Sequence, residues 1–352
     1  MILLNPGPVN VSERVRKALQ RPDICHRESE FAELLYGIRQ KLLNAFVPGA
    51  ESDYTAVVLT GSGTAAVEAA VLSSLPLGKR ALVINNGVYG QRISSILGVH
   101  RLGVSEFKLE WETRPDPERL RLALRQHPEV YVVALGHHET TTGLINPVKE
   151  IAEVVDSQNR VFLVDSVSGL GGEELDIAGP HMYMVAGSAG KCIQGFMDRM
   201  KGYPKRSWYL HLPHYYEDEE KGTLPFTPAV QVYYAFDEAL NELLEEGVAR
   251  RIQRYKKASS LIRQRLSALG LQPMLPPEFR SNTITSYYLP PGMTYQTLHD
   301  RLKERGYVIY AGQGQLESKI FRVANMGALT EGDIEGFLAA FQQVLETAAV
   351  RS

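Results

Sequence analysis

Between about Thr55 and Asp165, hydrophobic residues cluster in short runs rich in β-branched side chains, and amphipathic stretches separate these runs. Runs of this kind are typical of buried strands, and the stretches between them have the spacing of helices. Strands that alternate with helices predict a mainly parallel sheet with helices on both faces. The predicted strands are TAVVLT, ALVIN, EFKLE, YVVALG and RVFLVDS.

A helix is predicted before the first of these strands. Its large apolar residues recur every three or four positions, which places them on one face of a helix. We expect this face to pack on a neighbouring helix or across a dimer. The residues are Phe31, Leu34, Leu35, Ile38, Leu42, Leu43 and Phe46.

The pattern changes after about Leu224. A long helical stretch from Ala229 towards Leu269 is followed by strand and helix signals that do not repeat as a βα unit. This order predicts a smaller α+β domain packed against the first. The predicted division is an N-terminal segment over residues 1–15 that joins the small domain, a large domain over residues 16–235 and a small domain over residues 236–352.

Composition disfavours several classes of protein. Of the 352 residues, 44% are hydrophobic, and the net charge of -2 is not gathered into long runs of one sign. A nucleic-acid-binding protein would show a basic patch, so this class is disfavoured. The two cysteines, Cys25 and Cys192, lack the spacing of metal ligands, which disfavours a zinc site and fits a reducing compartment. Because no apolar stretch has the length of an export signal or a membrane span, we expect a cytoplasmic protein.

The stretch VVLTGSGTAAVEAA places glycines between a strand and a helix. Backbone N–H groups at such a helix start, with the hydroxyls of Ser62 and Thr64, form a phosphate-binding site. The same letters match the dinucleotide fingerprint, but the next strand ends in Asn85 and Asn86 and offers no acidic residue for a ribose. Phosphate binding is the favoured interpretation, a plain strand-to-helix turn is the alternative, and dinucleotide binding is a minor option.

Polar or aromatic residues follow two more of the predicted strands. Tyr89 has small neighbours and can lie flat against a ring-shaped ligand, although a tyrosine in such a position is more often part of the core. The stretch GHHETTTG ends another strand in a polar cluster, as a site at the carboxyl edge of a parallel sheet requires. Its histidines, His137 and His138, point to opposite faces of a strand, so a shared metal ion is disfavoured.

An acidic and a basic residue complete the set of candidates. Asp165 ends the apolar run RVFLVDS, where a carboxylate either caps a turn or faces a cationic group such as a heterocyclic nitrogen. Lys191 lies among small residues in GSAGKC, where desolvation would lower its pKa and make the amine a nucleophile toward an aldehyde. A phosphate site, a flat aromatic ring, a carboxylate and such a lysine are together what pyridoxal phosphate requires.

Motifs along nearly the whole chain resemble those of the class-V, fold-type I aminotransferases of pyridoxal phosphate. The resemblance implies an α/β fold, with a large domain built on a mainly parallel seven-stranded sheet and a smaller C-terminal α+β domain. ICHRESEF and KCIQG are most similar to the branch that acts on 2-aminoethylphosphonate and pyruvate, and the neighbouring branch uses serine or alanine with glyoxylate. The motifs are LNPGPVNVSERV, ICHRESEF, TGSGTAAVEAA, NGVYGQR, HHETTTG, VDSVSGLGG, GKCIQGF and FRVANMG.

The same resemblance implies roles for the residues that hold and activate the cofactor. Ser62, Gly63 and Thr64 would hold its phosphate. Asp165 would keep its pyridine nitrogen protonated, so that the ring accepts the electrons released at the substrate carbon. Lys191 would bind it covalently and, once displaced by the substrate, move the substrate's proton.

Five further residues take roles from the resemblance. Tyr89 would stack on the pyridine ring, Val167 would cover the opposite face, and Thr140 would lie near the ring hydroxyl. Arg322 would bind the anionic group of the substrate, because a guanidinium fits carboxylate or phosphonate oxygens. A surface ion pair is the alternative for Arg322, but its place after the predicted strand KIF and before a turn favours the site. Thr227 would reach the cofactor phosphate of a partner subunit, which implies a homodimer.

The chain departs from the family after Phe196. A strand of roughly ten residues normally follows IQGF, but here MDRMKGYPKRSW follows at once. If the protein lacks that strand, an antiparallel neighbour of the lysine segment is missing. In that case the protein is a non-catalytic binding relative. A serine or alanine:glyoxylate aminotransferase also stays open as an alternative, and so does a dinucleotide-dependent oxidoreductase, which the missing acidic residue disfavours. A class-V lyase or desulfurase is less favoured, because Cys25 and Cys192 lack the setting of a reactive cysteine.

Overall fold

The computed structural model describes residues 1–179, 184–187, 192–194, 200 and 202–349. The strands are β1 (Ile2–Leu3), β2 (Tyr54–Ala56), β3 (Arg80–Asn85), β4 (Gly103–Lys108), β5 (Val130–Gly136), β6 (His138–Glu139), β7 (Leu144–Ile145), β8 (Val161–Asp165), β9 (Met184–Ala186), β10 (Cys192–Gln194), β11 (Ile284–Tyr288), β12 (Tyr307–Val308), β13 (Tyr310–Ala311) and β14 (Ile320–Ala324). The helices are α1 (Glu13–Ala18), α2 (Ser29–Phe46), α3 (Gly63–Ser74), α4 (Val88–Val99), α5 (Pro117–Gln126), α6 (Val148–Ser157), α7 (Leu212–Glu219), α8 (Val230–Glu246), α9 (Val248–Ala268), α10 (Tyr295–Glu304) and α11 (Glu331–Ala349).

The central sheet contains seven strands in the order β2-β10-β9-β8-β5-β3-β4. Every neighbouring pair from β9 to β4 is parallel, whereas β10 runs antiparallel to both β2 and β9. The predicted α/β fold with a mainly parallel sheet is therefore confirmed. Because β3, β5 and β8 run in one direction, their carboxyl ends lie at one edge, where such sheets form binding sites.

β10 precedes the point where the chain departs from the family, and it lies between β2 and β9 in the central sheet. Cys192 pairs with Ala56 of β2 on one side and with Val185 of β9 on the other. In the described part of the chain, the sheet is thus continuous from β2 to β4. Phe196, where the departure begins, lies outside the described residues.

The first hydrophobic core lies between the central sheet and its helices. α2 buries one face against α8, and the ring centroids of Phe31 and Tyr233 are 5.3 Å apart. The stripe predicted for this helix is confirmed, because its residues are either buried or partly buried against the core. The buried ones are Phe31, Leu35, Ile38, Leu42 and Leu43.

A second core lies in the C-terminal part of the chain. There β11, β14 and β13 form an antiparallel sheet, covered by residues of α9, α10 and α11. The N-terminus joins this part, since β1 pairs in parallel with β12 and Leu4 belongs to the second core. The domain boundaries at residues 15 and 235 stay predictions.

The helical stretch predicted from Ala229 to Leu269 is divided into two helices at Gly247. This residue has a φ of 81°, in the left-handed region that favours glycine. Its N–H donates to the carbonyl of Leu243 at 2.7 Å and closes α8, while its carbonyl accepts the N–H of Arg251 at 3.0 Å and opens α9. The chain therefore turns at a position that the helical pattern alone does not mark.

Within the described residues, no helix is both long enough and apolar enough to cross a membrane.

Candidate active site

The candidate site includes the N-terminus of α3. Ser62 caps this helix, because its Oγ accepts the N–H of Ala65 at 3.3 Å. The first turn of a helix presents unpaired N–H groups and the positive end of the helix dipole, which favour an anion. Gly63 packs closely on Val167, since a Cβ added to Gly63 would lie 2.3 Å from Val167 Cγ1. The structure thus brings the predicted phosphate site and Val167 together.

Arg92 connects α3 to the candidate stacking residue. Tyr89 is half-buried in the first turn of α4, one turn before Arg92. The guanidinium of Arg92 lies over the ring of Tyr89, 4.6 Å from its centroid, and its Nη1 donates to Thr64 Oγ1 at 3.2 Å. A cation over one face of the ring restricts its motion. Tyr89 and Thr64 therefore belong to one connected group of side chains.

Glu139, from β6, caps α4. Its buried carboxylate accepts the N–H of Tyr89 at 3.0 Å and the hydroxyl of Thr141 at 2.6 Å. Gly87, which precedes the helix, has no side chain to serve as a cap, and a Cβ there would lie 2.3 Å from Glu139 Cδ. Burial raises the pKa of Glu139, and these hydrogen bonds act in the opposite direction. A residue 50 positions later in the chain thus fixes Tyr89.

Asp165 lies at the carboxyl end of β8 and is 9% exposed. Its Oδ1 accepts the N–H of Val167 at 3.0 Å. Burial raises the pKa of Asp165 to about 6, while the hydrogen bond from Val167 and the charge of Arg92 act to lower it. An ionised carboxylate at this depth is stabilised when a cationic group faces it. The geometry suits the predicted pairing with a protonated ring nitrogen.

Asp165→Asn is expected to stabilise the protein without ligand at pH 8. The raised pKa means that the Asp165 contribution to stability is fully present below pH 3.8 and is lost as the pH rises through about 6. A neutral asparagine avoids this loss, so the free energy of unfolding at pH 8 should rise by up to about 3 kcal/mol, with a smaller gain at pH 5. Thermal unfolding at both pH values measures it. The exposed Asp53, changed to asparagine, is the control, and equal effects of the two changes would refute the expectation.

Arg322 lies in the middle of β14, not after the strand as predicted. It is 2% exposed, which excludes a surface ion pair. Its Nε donates to the carbonyl of Ala311 at 2.8 Å, and its Nη1 donates to the carbonyl of Thr140 at 3.0 Å and to Gln313 Oε1 at 3.4 Å. Burial lowers its pKa, and nearby Tyr89 acts in the opposite direction. Carbonyl oxygens orient this guanidinium without neutralising its charge.

Thr140 and the two histidines lie beside this contact. Thr140 is 1% exposed, and its Oγ1 has no hydrogen-bond partner among the described residues. His137 Nδ1 is hydrogen-bonded to Ser166 Oγ at 3.0 Å, and His138 Nδ1 lies 3.3 Å from the carbonyl of Ser168. Burial lowers the pKa of His137 to about 4 and that of His138 to about 3, so both rings are neutral near pH 7.

Lys191 and Thr227 are the two remaining predicted site residues. Lys191 lies outside the described residues, although the buried Gly187 and the start of β10 at Cys192 bracket it in the sequence. Thr227 is exposed and lies in the loop before α8. In the described part of the chain, no cluster of three or more histidine, cysteine or acidic residues has the geometry of a metal site.

Known proteins are similar to this chain in sequence and in fold. Residues 11–195 match the family model for Aminotransferase class-V. A 2-aminoethylphosphonate–pyruvate transaminase from Syntrophobacter fumaroxidans is 38% identical over 363 aligned residues, which cover 98% of this chain and 96% of that protein. The chain belongs to the class-V aminotransferases. A relative of the same description from Lysinibacillus sphaericus is 34% identical to this aminotransferase, over 97% of both chains.

A solved structure shows the same architecture. The alanine–glyoxylate aminotransferase from Nostoc sp. superposes on this aminotransferase with a TM-score of 0.91 at 25% identity, covering 98% of this chain and 95% of the other. The predicted family and fold type I are therefore confirmed. Enzymes of this class use pyridoxal phosphate to transfer an amino group from an amine donor to a keto acid, so the predicted enzyme class is confirmed as well.

Two residues of this aminotransferase site, Arg92 and Glu139, were not among the predicted site residues. Arg92 follows Tyr89 by three positions in NGVYGQR, which is the spacing of neighbours on one helix face. This spacing could have identified their contact. Glu139 belongs to the polar cluster GHHETTTG after an apolar strand, which indicated a place at the sheet edge, but nothing in the sequence indicated that α4 was its partner.

Proposed function

We propose that this aminotransferase uses pyridoxal phosphate to transfer the amino group of 2-aminoethylphosphonate to pyruvate. The donor would leave as phosphonoacetaldehyde, and pyruvate would leave as alanine. The observation that carries this proposal is the buried guanidinium of Arg322, oriented by carbonyl oxygens beside Tyr89 and Thr140, because such a group binds an anionic substrate. The relatives at 38% and 34% identity support the choice of substrates.

The residues present fit the cofactor. The unpaired, buried Oγ1 of Thr140 offers a hydrogen bond to the ring hydroxyl. The helix start at Ser62, Gly63 and Thr64 suits the phosphate. The buried carboxylate of Asp165 suits the pyridine nitrogen. When bound, pyridoxal phosphate supplies an electron sink for the carbon that carries the amino group.

Each residue has a separate task in the proposed reaction. Asp165 keeps a proton on the ring nitrogen, and Lys191 both holds the cofactor and carries the proton that leaves the substrate carbon. Tyr89 and Val167 hold the ring between them and exclude water from its faces. Arg322 holds the phosphonate of the donor and then the carboxylate of pyruvate, so one cation orients the substrate in both halves of the reaction.

We also propose a cytoplasmic homodimer, with Thr227 reaching the cofactor phosphate of the partner. An apolar groove beside Ser62 and Gly63 supports a second copy, because it is lined by α1 and α8. Val232 in this groove is 51% exposed. Light scattering should give twice the chain mass of 39.2 kDa, and the mass of a single chain would refute the dimer.

The visible absorption spectrum of the purified protein tests the proposed function. We expect a band from the protein-bound cofactor that changes on addition of 2-aminoethylphosphonate and returns on addition of pyruvate. Borohydride reduction followed by peptide mapping should place the cofactor on Lys191. A reversible spectral change would establish both halves of the reaction.

Other outcomes would change the proposed substrates or contradict the proposed function. A band that ignores this amine but responds to serine or alanine, with glyoxylate as acceptor, would favour the function named for the Nostoc protein. Absence of any band after addition of pyridoxal phosphate would indicate a non-catalytic relative. Reduction onto a different lysine would remove Lys191 from the site.

A further inference from the structure

A polar turn connects the C-terminal sheet to the large domain. It consists of Ser281, Asn282 and Thr283, which immediately precede β11, and it is called the 281–283 turn below. The carboxylate of Glu173 receives four hydrogen bonds from it: from Ser281 Oγ at 2.6 Å, the Asn282 N–H at 2.8 Å, Asn282 Nδ2 at 2.9 Å and Thr283 Oγ1 at 3.1 Å. Glu173 is 4% exposed, so these donors replace water around its oxygens.

Glu173 belongs to the loop that follows Asp165 at the end of β8. The N–H of Glu173 donates to the carbonyl of Gly169 at 2.8 Å, which makes the end of the loop a closed turn. The preceding Gly172 touches the 281–283 turn, since a Cβ there would lie 2.8 Å from Thr283 Cγ2. Because the surfaces are this close, a movement of the turn would displace the loop.

The 281–283 turn is tied equally closely to the strand of Arg322. Asn325, next to the end of β14, donates its N–H to the carbonyl of Thr283 at 2.9 Å and its Nδ2 to the carbonyl of Asn282 at 3.0 Å. In the adjoining strand pair, Ser286 lies opposite Arg322. The position of Arg322 is thus coupled to the 281–283 turn through backbone groups.

The hydrogen bonds favour an ionised Glu173, because all four groups donate to it. Burial raises the pKa of Glu173 to about 7, and the hydrogen bonds from Ser281 and Thr283 act to lower it. Arg263 of α9 also faces this cluster, with its Nη1 donating to the carbonyl of Ser281 at 3.0 Å. Neither the proposed function nor the family resemblance gives a role to Glu173.

We propose that Glu173 is a positioning residue, which clamps the 281–283 turn onto the loop of Asp165 and so sets the place of Arg322 relative to Asp165. Asp165 and Arg322 act on opposite ends of the bound substrate and cofactor, and their separation decides whether both contacts form at once. The consequence for catalysis rests on the proposed function. The docking of the C-terminal sheet onto the large domain does not rest on the proposed function, and it can be measured separately.

Trp111 provides a reporter of this docking. It follows β4 in the large domain and packs on Met274, Leu316 and Ile320 of the C-terminal part. The chain has two tryptophans, and the other one, Trp208, is 75% exposed. In a Trp208→Phe background with the cofactor bound, fluorescence emission therefore reports the surroundings of Trp111.

Two changes at Glu173 separate its hydrogen bonds from its volume. Glu173→Leu keeps the size but removes the acceptor that all four donors share, and the hydroxyls of Ser281 and Thr283 are then left only with each other at 2.9 Å. Trp111 emission should therefore shift to longer wavelength, and KM for 2-aminoethylphosphonate should rise about tenfold, with kcat within about threefold. Glu173→Gln still accepts from Ser281 and the Asn282 N–H, and a turned Asn282 side chain can pair with its amide. This variant should recover most of the emission and of KM. Glu174→Leu, at the exposed neighbouring position, is the matched control.

Emission and KM of Glu173→Leu that equal those of Glu174→Leu would overturn the proposal. It would also be overturned by a Glu173→Gln variant that is as impaired as Glu173→Leu. If Glu173→Leu does not fold, Thr283→Val removes one hydrogen bond and should give a smaller shift in the same direction, and no shift would count against the clamp. If the unmodified protein does not act on 2-aminoethylphosphonate, the proposed function fails while the Trp111 measurement still decides the clamp.

Discussion

Asp165→Asn is expected to lower the rate of transamination by about 10²–10³-fold while pyridoxal phosphate remains bound. The carboxylate of Asp165 is buried at the end of β8 and can hold a proton on the ring nitrogen through its negative charge. Asparagine keeps the shape and still accepts the N–H of Val167, but it lacks the charge that makes the ring an electron acceptor. Stopped-flow measurement of the half-reaction with 2-aminoethylphosphonate gives the rate constant directly.

The same variant is expected to be more stable than the unmodified protein without cofactor, as described above. The combination of higher stability and lower rate is the mark of a charge kept for function at a cost in folding. Asp53→Asn, at an exposed position, should change neither quantity. A rate within about threefold of the unmodified protein would show that the charge of Asp165 is not required.

Arg322→Ala is expected to lower kcat/KM for 2-aminoethylphosphonate by roughly 10²–10³-fold, equivalent to about 3–4 kcal/mol. The guanidinium is the buried cation placed beside Tyr89 and Thr140, and its removal leaves the phosphonate without a partner. Cofactor affinity should stay nearly unchanged, because no predicted contact of Arg322 is with the cofactor. Steady-state kinetics and cofactor titration separate the two effects.

Two further variants distinguish a loss of substrate binding from a general effect on the structure. Arg322→Lys keeps a positive charge but loses the planar fork, so it should recover only part of kcat/KM. Arg265→Ala removes a half-exposed arginine that pairs with Glu335 at 3.5 Å, and it should leave the kinetics unchanged. Unchanged affinity for the phosphonate in Arg322→Ala would remove Arg322 from the substrate site.

The sequence predicted most of the fold because the fold depends on local patterns. The alternation of β-branched runs with amphipathic stretches gave the parallel sheet, and the spacing from Phe31 to Phe46 gave the buried face of α2. Glycine was harder to interpret from sequence, because the same residue ends α8 at Gly247 and packs against Val167 at Gly63. Only the backbone angle and the neighbouring atoms distinguish these two uses.

Some residues of the candidate site were predicted better than others, again because local patterns place some residues and not others. Ser62 and Tyr89 follow strands and Asp165 ends one, so the topology of the sheet places them at one edge. Arg322 was predicted to follow its strand but lies within it, because β14 continues through it to pair with β11 and β13. The apolar pattern indicates that the strand ends before Arg322, whereas β14 ends beyond it.

By itself, the sequence determined the family, the order of strands and helices, and the kinds of chemical group that the site contains. Only the tertiary structure decided which buried groups meet: Arg322 with the carbonyl of Thr140, 182 residues away, Glu139 with the start of α4, and Glu173 with the 281–283 turn, 109 residues away at Asn282. The physical reason is that helix and strand patterns record burial along a short segment, whereas a buried charge is satisfied by whichever donors the packing of distant segments brings within 3 Å or so.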